Sequence, residues 1–313
     1  MKRYILYRLL LVIPSLWAVF TFAFVLVRIV PGDPALAMLG DHASQEAVQE
    51  LRIRMGLDRP LWQQYGAFLA ELARGDLGRS LVTKRPIITD VAQVLPYTVE
   101  LTFTGILLGV VLGVPLGVLS AVKRNSAFDH MARIVSLAGL SVPAFYLAIL
   151  LLLVFSVSLG WFPVIGPVSD TGLKVRLHNL VLPGLSLGLM MTAYVMRMTR
   201  STVLQVLTHD YVRSARAKGL AEMRVLRRHV LTNSLIPIVT LVGLHANYLV
   251  GGSVMTEIVF NRPGLGKLIV GAMFQRDYAV LQSLLVVYAV VVVFINLLTD
   301  LSYGIVDPRV RYE

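Results

Sequence analysis

Histidine is the side chain best suited to bind a metal or move a proton near neutral pH, and this chain has six, at 42, 130, 178, 209, 229 and 245. They are scattered singly, with no HExxH pair, and no cysteine completes a ligand set, closes a disulfide or serves as a thiol nucleophile. The Gly-Lys pair of PGLGKL (263–268) could cradle a phosphate only in a longer loop followed by Ser or Thr, and both are missing. No GxSxG elbow presents a strained nucleophilic serine. The remaining dense polar segment is DYVRSARAKGLAEMRVLRRHVLTNSLIP, residues 210 to 237, which is basic, helix-prone and flanked by apolar stretches. Its chemistry is that of a docking surface.

Composition indicates which solvent the supporting elements meet. Of 313 residues, 56% are hydrophobic and only 15% charged, with mean hydropathy +0.73; a soluble domain carries about 25% charge. Six windows lack Asp, Glu, Lys and Arg: Leu9–Val27, Leu101–Val122, Ile134–Ser169, Leu177–Met196, Val230–Thr256 and Tyr278–Thr299. Each approaches or exceeds the roughly 20 residues that carry a helix across a bilayer. The third is too long for one helix and is expected to end near Gly160, where GWFPVIGP brings Trp, Pro and Gly to an interface. The basic start MKRYILYR and the ALA at 35–37 have the look of a signal peptide. The nineteen apolar residues between them exceed an h-region of about 7–15, so the window reads as an uncleaved span. The expected fold is an all-α integral membrane protein of six transmembrane helices, with residues 1–313 forming one domain.

The net charge of +11 reports orientation. With the N-terminus inside, the inner segments hold sixteen Lys and Arg, and the short outer segments hold five. The outer stretch 28–100 is too long to count under the positive-inside rule. Both termini are therefore expected in the cytoplasm, and nucleic acid is not needed to explain the basic balance. Residues 31–98 form the one sizeable insertion between spans. There SQEAVQELRIRMG reads as a helix ending at Gly56, and the helix after Pro60 places Leu61, Tyr65, Phe68, Leu69 and Leu72 on one face. The glycines of GILLGVVLGVPLG (105–117) recur every fourth residue, which lets helix backbones approach closely.

Ion-coupled carriers place ionisable side chains mid-span. Here the acids and bases stop at the span ends, and what remains is mild: Thr21, Thr104, Ser186, His245, Asn247 and Ser253. A secondary transporter or channel, the reading from another class, would need mid-span charges or a filter. In the fifth span Gly243, Asn247 and Gly251 share a face. Either a close helix crossing or a weakly polar wall of a passage would use them, and His245 and Ser253 join the candidates for that wall. The outer segment 256–282 bends at Pro263-Gly264 and continues as a short apolar helix. Glu257, Arg262 and Arg276 are its candidate docking charges for an extracytoplasmic partner.

The segment 200–235 reads as a short helix with Asp210 as N-cap, a bend at Gly219, and a second helix running into a span. Physically it fits a compact knob for a partner's cleft or an amphipathic helix on anionic lipid. The segment resembles the cytoplasmic loop of ABC importer permeases, whose pattern is EAA, three residues, Gly, then hydrophobic-Leu-Pro. Here Arg213, Ser214 and Ala215 are followed by Gly219 and by LIP at 235–237. Arg213 stands where the pattern has Glu, so a salt bridge made by that Glu does not carry over. ARAKG is typical of the peptide-importer branch. YRLLLVIPSL, PGDPA, GDLGRSLV, LPYTVELT, LPGLSLGL, VFNRPGLGKLI, RDYAVLQ and DPRVRY also look like the first permease subunit of dipeptide, oligopeptide, glutathione or nickel importers.

The resemblance implies a type I ABC importer permease in a bacterial inner membrane, paired with a second homologous permease. It further implies two ABC ATPase subunits that hold ATP and Mg, so this chain has no cofactor and is no enzyme, and an extracytoplasmic substrate-binding protein. The residues implied to couple to the ATPases are Asp210, Tyr211, Arg213, Ser214, Ala215, Ala217, Lys218, Gly219 and Leu220.

Overall fold

The computed structural model describes residues 2–29, 36, 44–54, 56–164 and 172–306. The motifs PGDPA and DPRVRY fall outside them. The described chain is helical, and its β pairing is one isolated bridge between Arg79 and Pro86. In order run α1 (Lys2–Ile29), α2 (Gln45–Arg54), α3 (Leu61–Ala73), α4 (Ile87–Val122), α5 (Ala127–Ser141) and α6 (Ala144–Leu151), whose end widens into a π-helical stretch, Leu152–Ser158. Then come α7 (Leu173–Leu207), α8 (Asp210–Ala217) and α9 (Glu222–Val225). A second π-helical stretch, Leu226–Leu231, joins α9 to α10 (Thr232–Val259), and α11 (Leu265–Phe274) and α12 (Tyr278–Val306) complete the chain.

Five of these are long and apolar enough to cross a bilayer: Tyr4–Leu26, Ile87–Val122, Leu173–Leu207, Glu222–Val259 and Tyr278–Gly304. The third apolar window is not one helix. Its described residues fall mainly in α5 and α6, which meet at an angle of 101°; by length and composition the pair is either a sixth, broken span or a re-entrant loop. The break falls at Val142, extended at φ −96° and ψ 122°, the conformation that the ring of Pro143 favours in the residue before it. Beyond Ser158, Gly160 turns the chain at φ +65° and Trp161 is exposed, close to where the apolar run was expected to end.

Contacts divide the chain into two compact units, the first being Met1–Arg8, Tyr97–Gly266 and Ile295–Glu313. Its core is α7. Of the apolar window of α7, 72% is buried, against 11% for α1, so α7 packs on protein where α1 leaves a surface for lipid. The glycine stripe of α4 faces α7. A Cβ on Gly105 would lie 3.0 Å from Leu187, one on Gly113 2.7 Å from Val195, and one on Gly117 2.6 Å from the Met196 carbonyl; one on Gly109 would run into Met191. The α7 glycines answer in kind, with Gly184 against Thr104 and Gly188 against Leu108. Backbones pressed together in this way gain van der Waals contact, which takes the place of hydrophobic burial between helices in lipid.

The second unit is Leu9–Pro96 with Lys267–Phe294. Within it α3 presents Tyr65 and Phe68 to Phe24 of α1, with ring centroids 5.2 and 5.6 Å apart, and the Tyr65 hydroxyl meets Thr21 Oγ1 at 2.6 Å. Leu61, expected on that face, is exposed.

Candidate functional site

The knob begins where α7 stops. His209 is extended and takes the N-cap position, so Asp210 is the first helical residue and not the cap; there its charge faces the positive end of the α8 dipole. The helix closes in a Schellman arrangement: the Leu220 amide donates to the Ala215 carbonyl at 3.4 Å and the Gly219 amide to that of Arg216 at 2.9 Å. That arrangement needs a left-handed residue, and Gly219 supplies φ +74°. Across the bend Arg216 Nη2 donates to Glu222 Oε1 at 2.6 Å, tying α8 to α9.

One side of α8 faces inward. Val212 and Ala215 are buried with Ala121 of α4, Val203 and Val206 of α7, and Val225 and Val230. Leu220 packs against the same cluster. Asp210, Tyr211, Arg213, Ser214, Ala217 and Lys218 are exposed. Ala215, expected on the face that enters a partner, is therefore a packing residue; its spacing of three from Val212 sets it on the apolar side. The exposed ion pair of Arg213 with Asp210, at 3.1 Å, adds little stability.

The wall candidates of α10 separate into two groups. Gly243 lies directly under Thr299 of α12, and the Asn247 amide donates to Asn296 Oδ1 at 2.6 Å, so these two form a helix crossing. Ser253 is buried, its hydroxyl donating to the Val250 carbonyl at 2.9 Å. Gly251 is exposed with no atom near the position of a Cβ, and His245 is half-buried with its ring centroid 3.9 Å from that of Tyr194.

Two of the three candidate docking charges lie inside the protein. Glu257 has no exposed surface: Thr98 Oγ1 donates to its Oε1 at 2.6 Å, and Gly264 leaves the room its carboxylate fills. The same Thr98 oxygen accepts the Leu265 amide at 2.8 Å, so Glu257 holds the turn into α11 from beneath. Arg262 is 9% exposed and donates to Glu100 Oε2 at 2.6 Å; Arg176 Nε reaches the same carboxylate at 3.1 Å, and both guanidiniums lie over the Tyr97 ring. Burial lowers the Arg262 pKa from its ordinary value, and the charge of Glu100 opposes the shift. A surface role fits neither Glu257 nor Arg262, because each charge is already committed to the fold. Arg276 is exposed, in the left-handed region at φ 54°.

Three further acids hold structural positions. Glu100 is the first, as the shared partner of Arg262 and Arg176. In the second unit Asp277, 1% exposed, accepts from Ser80 Oγ at 2.6 Å, from the Val280 amide at 3.2 Å, and from the Leu81 and Val82 amides at 3.3 Å, so RDYAVLQ clamps GDLGRSLV. In the first unit Asp129 is fully buried and paired with Arg200. A sequence signal existed only for Asp129: Ser126 and Asp129 have capping-box spacing before an apolar run. The second unit also holds a cleft of about 1040 Å³ with Arg52, Asp58, Gln64, Phe68 and Glu71 in its lining. Among the described residues no three His, Asp or Glu side chains gather as metal ligands would.

Comparison with known proteins follows the same lines. Residues 113–312 match the family model for the binding-protein-dependent transport system inner membrane component, and residues 1–102 match that for the N-terminal part of such membrane components. The chain is 40% identical to the dipeptide transport system permease protein DppB of Alkalihalophilus pseudofirmus and 39% identical to the di/tripeptide transport system permease protein DppB of Pseudomonas aeruginosa. It is 39% identical to the glutathione transport system permease protein GsiC of Escherichia coli; each of these matches covers 100% of both chains. Among solved structures, an inward-facing MetNI methionine ABC transporter chain superposes with a TM-score of 0.56 at 21% identity, over 71% of this chain and 98% of that one.

Proposed function

Because this chain belongs to the inner membrane components of binding-protein-dependent transport systems, we propose that it forms half of the translocation pathway of an ATP-driven peptide importer. A second, related permease would supply the other half. Two ATPase subunits would hold ATP and Mg and press on α8 from the cytoplasm, while an extracytoplasmic binding protein delivers the substrate. The basic asymmetry of the loops supports this orientation, and the full-length relatives named for dipeptides, di/tripeptides and glutathione support the substrate class.

The observation that carries the reading is the mounting of α8. A two-turn helix is too short to be stable alone. This one is fixed by a buried apolar side, a Schellman bend and the Arg216–Glu222 pair, while its polar side stays open. Such a knob transmits force instead of absorbing it. Alternating access follows if ATPase closure moves the knob and favours one arrangement of the spans over the other. Of the wall candidates, Gly251 is exposed and His245 and Asn247 are half-buried, so these three keep surface to offer a passing substrate.

The test is reconstitution. Proteoliposomes with this chain, its second permease, the two ATPases and the binding protein should accumulate a labelled dipeptide or glutathione only with ATP, and this chain alone should accumulate none. Uptake of nickel in place of peptide would move the assignment to the nickel branch. ATP-independent uptake by the chain alone would overturn it.

A further inference from the structure

Where α4, α5 and α7 meet, the buried Asp129 carboxylate pairs with the partly exposed Arg200, a contact the proposed function does not use. Asp129, two residues into α5, has no exposed surface and spends both carboxylate oxygens. Arg200 of α7 grips it with Nε at 2.6 Å from Oδ1 and Nη2 at 2.8 Å from Oδ2. Ser120 Oγ of α4 donates to Oδ1 at 2.6 Å, and the Asn125 amide in the α4–α5 turn donates to Oδ2 at 3.0 Å. The turn is shaped to this geometry, with Asn125 in the left-handed region at φ 61° and the Ser126 hydroxyl accepting the Asp129 amide. One carboxylate therefore joins α4, the turn, α5 and α7.

A fork-to-fork arginine–carboxylate pair fixes direction as well as distance. Because desolvation offsets much of its attraction, a buried pair is a weak source of stability and a stronger source of fixed geometry. The surroundings say what the geometry is for. Val212 and Ala215 of α8 pack on Ala121 of α4 and on Val203 and Val206 of α7, one and two turns from Arg200. No residue of α5 belongs to that cluster. Further along, α5 packs on α7 directly, with Gly139 against Ala193. At the end nearest the α8 cluster, however, it is tied to α4 and α7 by Asp129, and α5 bends by 101° into α6.

We propose that the Asp129–Arg200 pair is the positioning contact that carries displacement of the α8 knob into the bent α5–α6 pair, by making α4, α5 and α7 one rigid body where they meet. Neither residue touches substrate or nucleotide. The proposal rests on the importer reading, and loss of the pair uncouples hydrolysis from transport while leaving the docking of the ATPases intact.

The experiment uses the complete transporter in proteoliposomes, with Asp129→Asn, Arg200→Lys and the double variant Asp129→Asn/Arg200→Gln. Arg200→Lys keeps the charge and loses the fork. The double variant leaves no unpaired buried charge, so it is the informative form if a single variant fails to assemble. Binding-protein-stimulated ATP hydrolysis should stay within about twofold of wild type, while peptide accumulated per ATP falls about tenfold. In the double variant the loss should be no worse than in Asp129→Asn alone, as for two residues acting as a unit. Unchanged accumulation per ATP in assembled complexes overturns the proposal. So does a parallel fall of hydrolysis and uptake, or failure of the double variant to assemble, since either marks a contact of the fold and not of transmission. ATP-independent uptake, or none at all, in the wild-type complex would instead defeat the importer reading itself.

Discussion

Gly219 has open space where a Cβ would point, so a substitution there is resisted by the backbone and not by crowding. Gly219→Val should cost about 1–3 kcal/mol and tilt α8, lowering binding-protein-stimulated ATP hydrolysis in the assembled complex. Gly219→Asn, which tolerates the left-handed region, should retain most of it. Wild-type transport by an assembled Gly219→Val complex would show that α8 does not transmit the work. Ala215 and Ala217 give a second comparison. Ala215→Trp overfills a buried site 5% exposed and should detach α8 from its cluster, at a cost of about 1–3 kcal/mol read as a lower melting temperature. Ala217→Trp should leave the melt alone and obstruct the exposed face of α8, and so reduce co-purification of the ATPases. The bend was legible in the sequence because Gly in a helix-stop position has one dominant use. The inward side of the helix is not legible at Ala215, because in eight residues a small side chain marks close approach without saying to what.

At the scale of elements, the α4–α7 ladder makes the glycine stripe a packing device whose partner is now known. Gly113→Leu should force the two backbones apart and destabilise the purified chain by about 1–3 kcal/mol, whereas Gly251→Ala, which meets open space, should leave the thermal unfolding curve unshifted. Equal effects from the two would remove the ladder as a source of stability. The stripe could be seen in the sequence because its period is the helix period; its partner could not, because small residues fit any close neighbour. The bend between α5 and α6 was missed for a related reason. Pro14, Pro183 and Pro237 all sit inside continuous helices here, so Pro143 had no local mark to distinguish it as a break. Lipid tolerates proline within a helix, which removes in a membrane protein the cue that would end a helix in water.

For the whole molecule, a chain without cysteine allows topology to be read one residue at a time. A single cysteine at Ser126 or Thr208 should react only with reagent supplied from the cytoplasm, and one at Ser44 or Asn261 only from outside; labelling of Ser44 from inside would reverse the orientation. The spans themselves were legible because the cost of a charge in hydrocarbon writes them as charge-free windows. The contacts that join them were not. Asp129 and Arg200 lie 71 residues apart and Glu100 and Arg262 lie 162 apart, and no local pattern encodes such pairings. The bent α5–α6 pair has one more consequence, for how the protein is made. Its two arms, Ala127–Ser141 and Ala144–Ser158, would each reach only about 22 Å at helical rise, short of the roughly 30 Å of hydrocarbon. Neither arm alone is long enough to span the bilayer. A released chain ending at residue 164 should leave these arms open to protease, and extension through α7 should shelter them, the outcome expected if this stretch completes its insertion only after the helix that follows it has been translated.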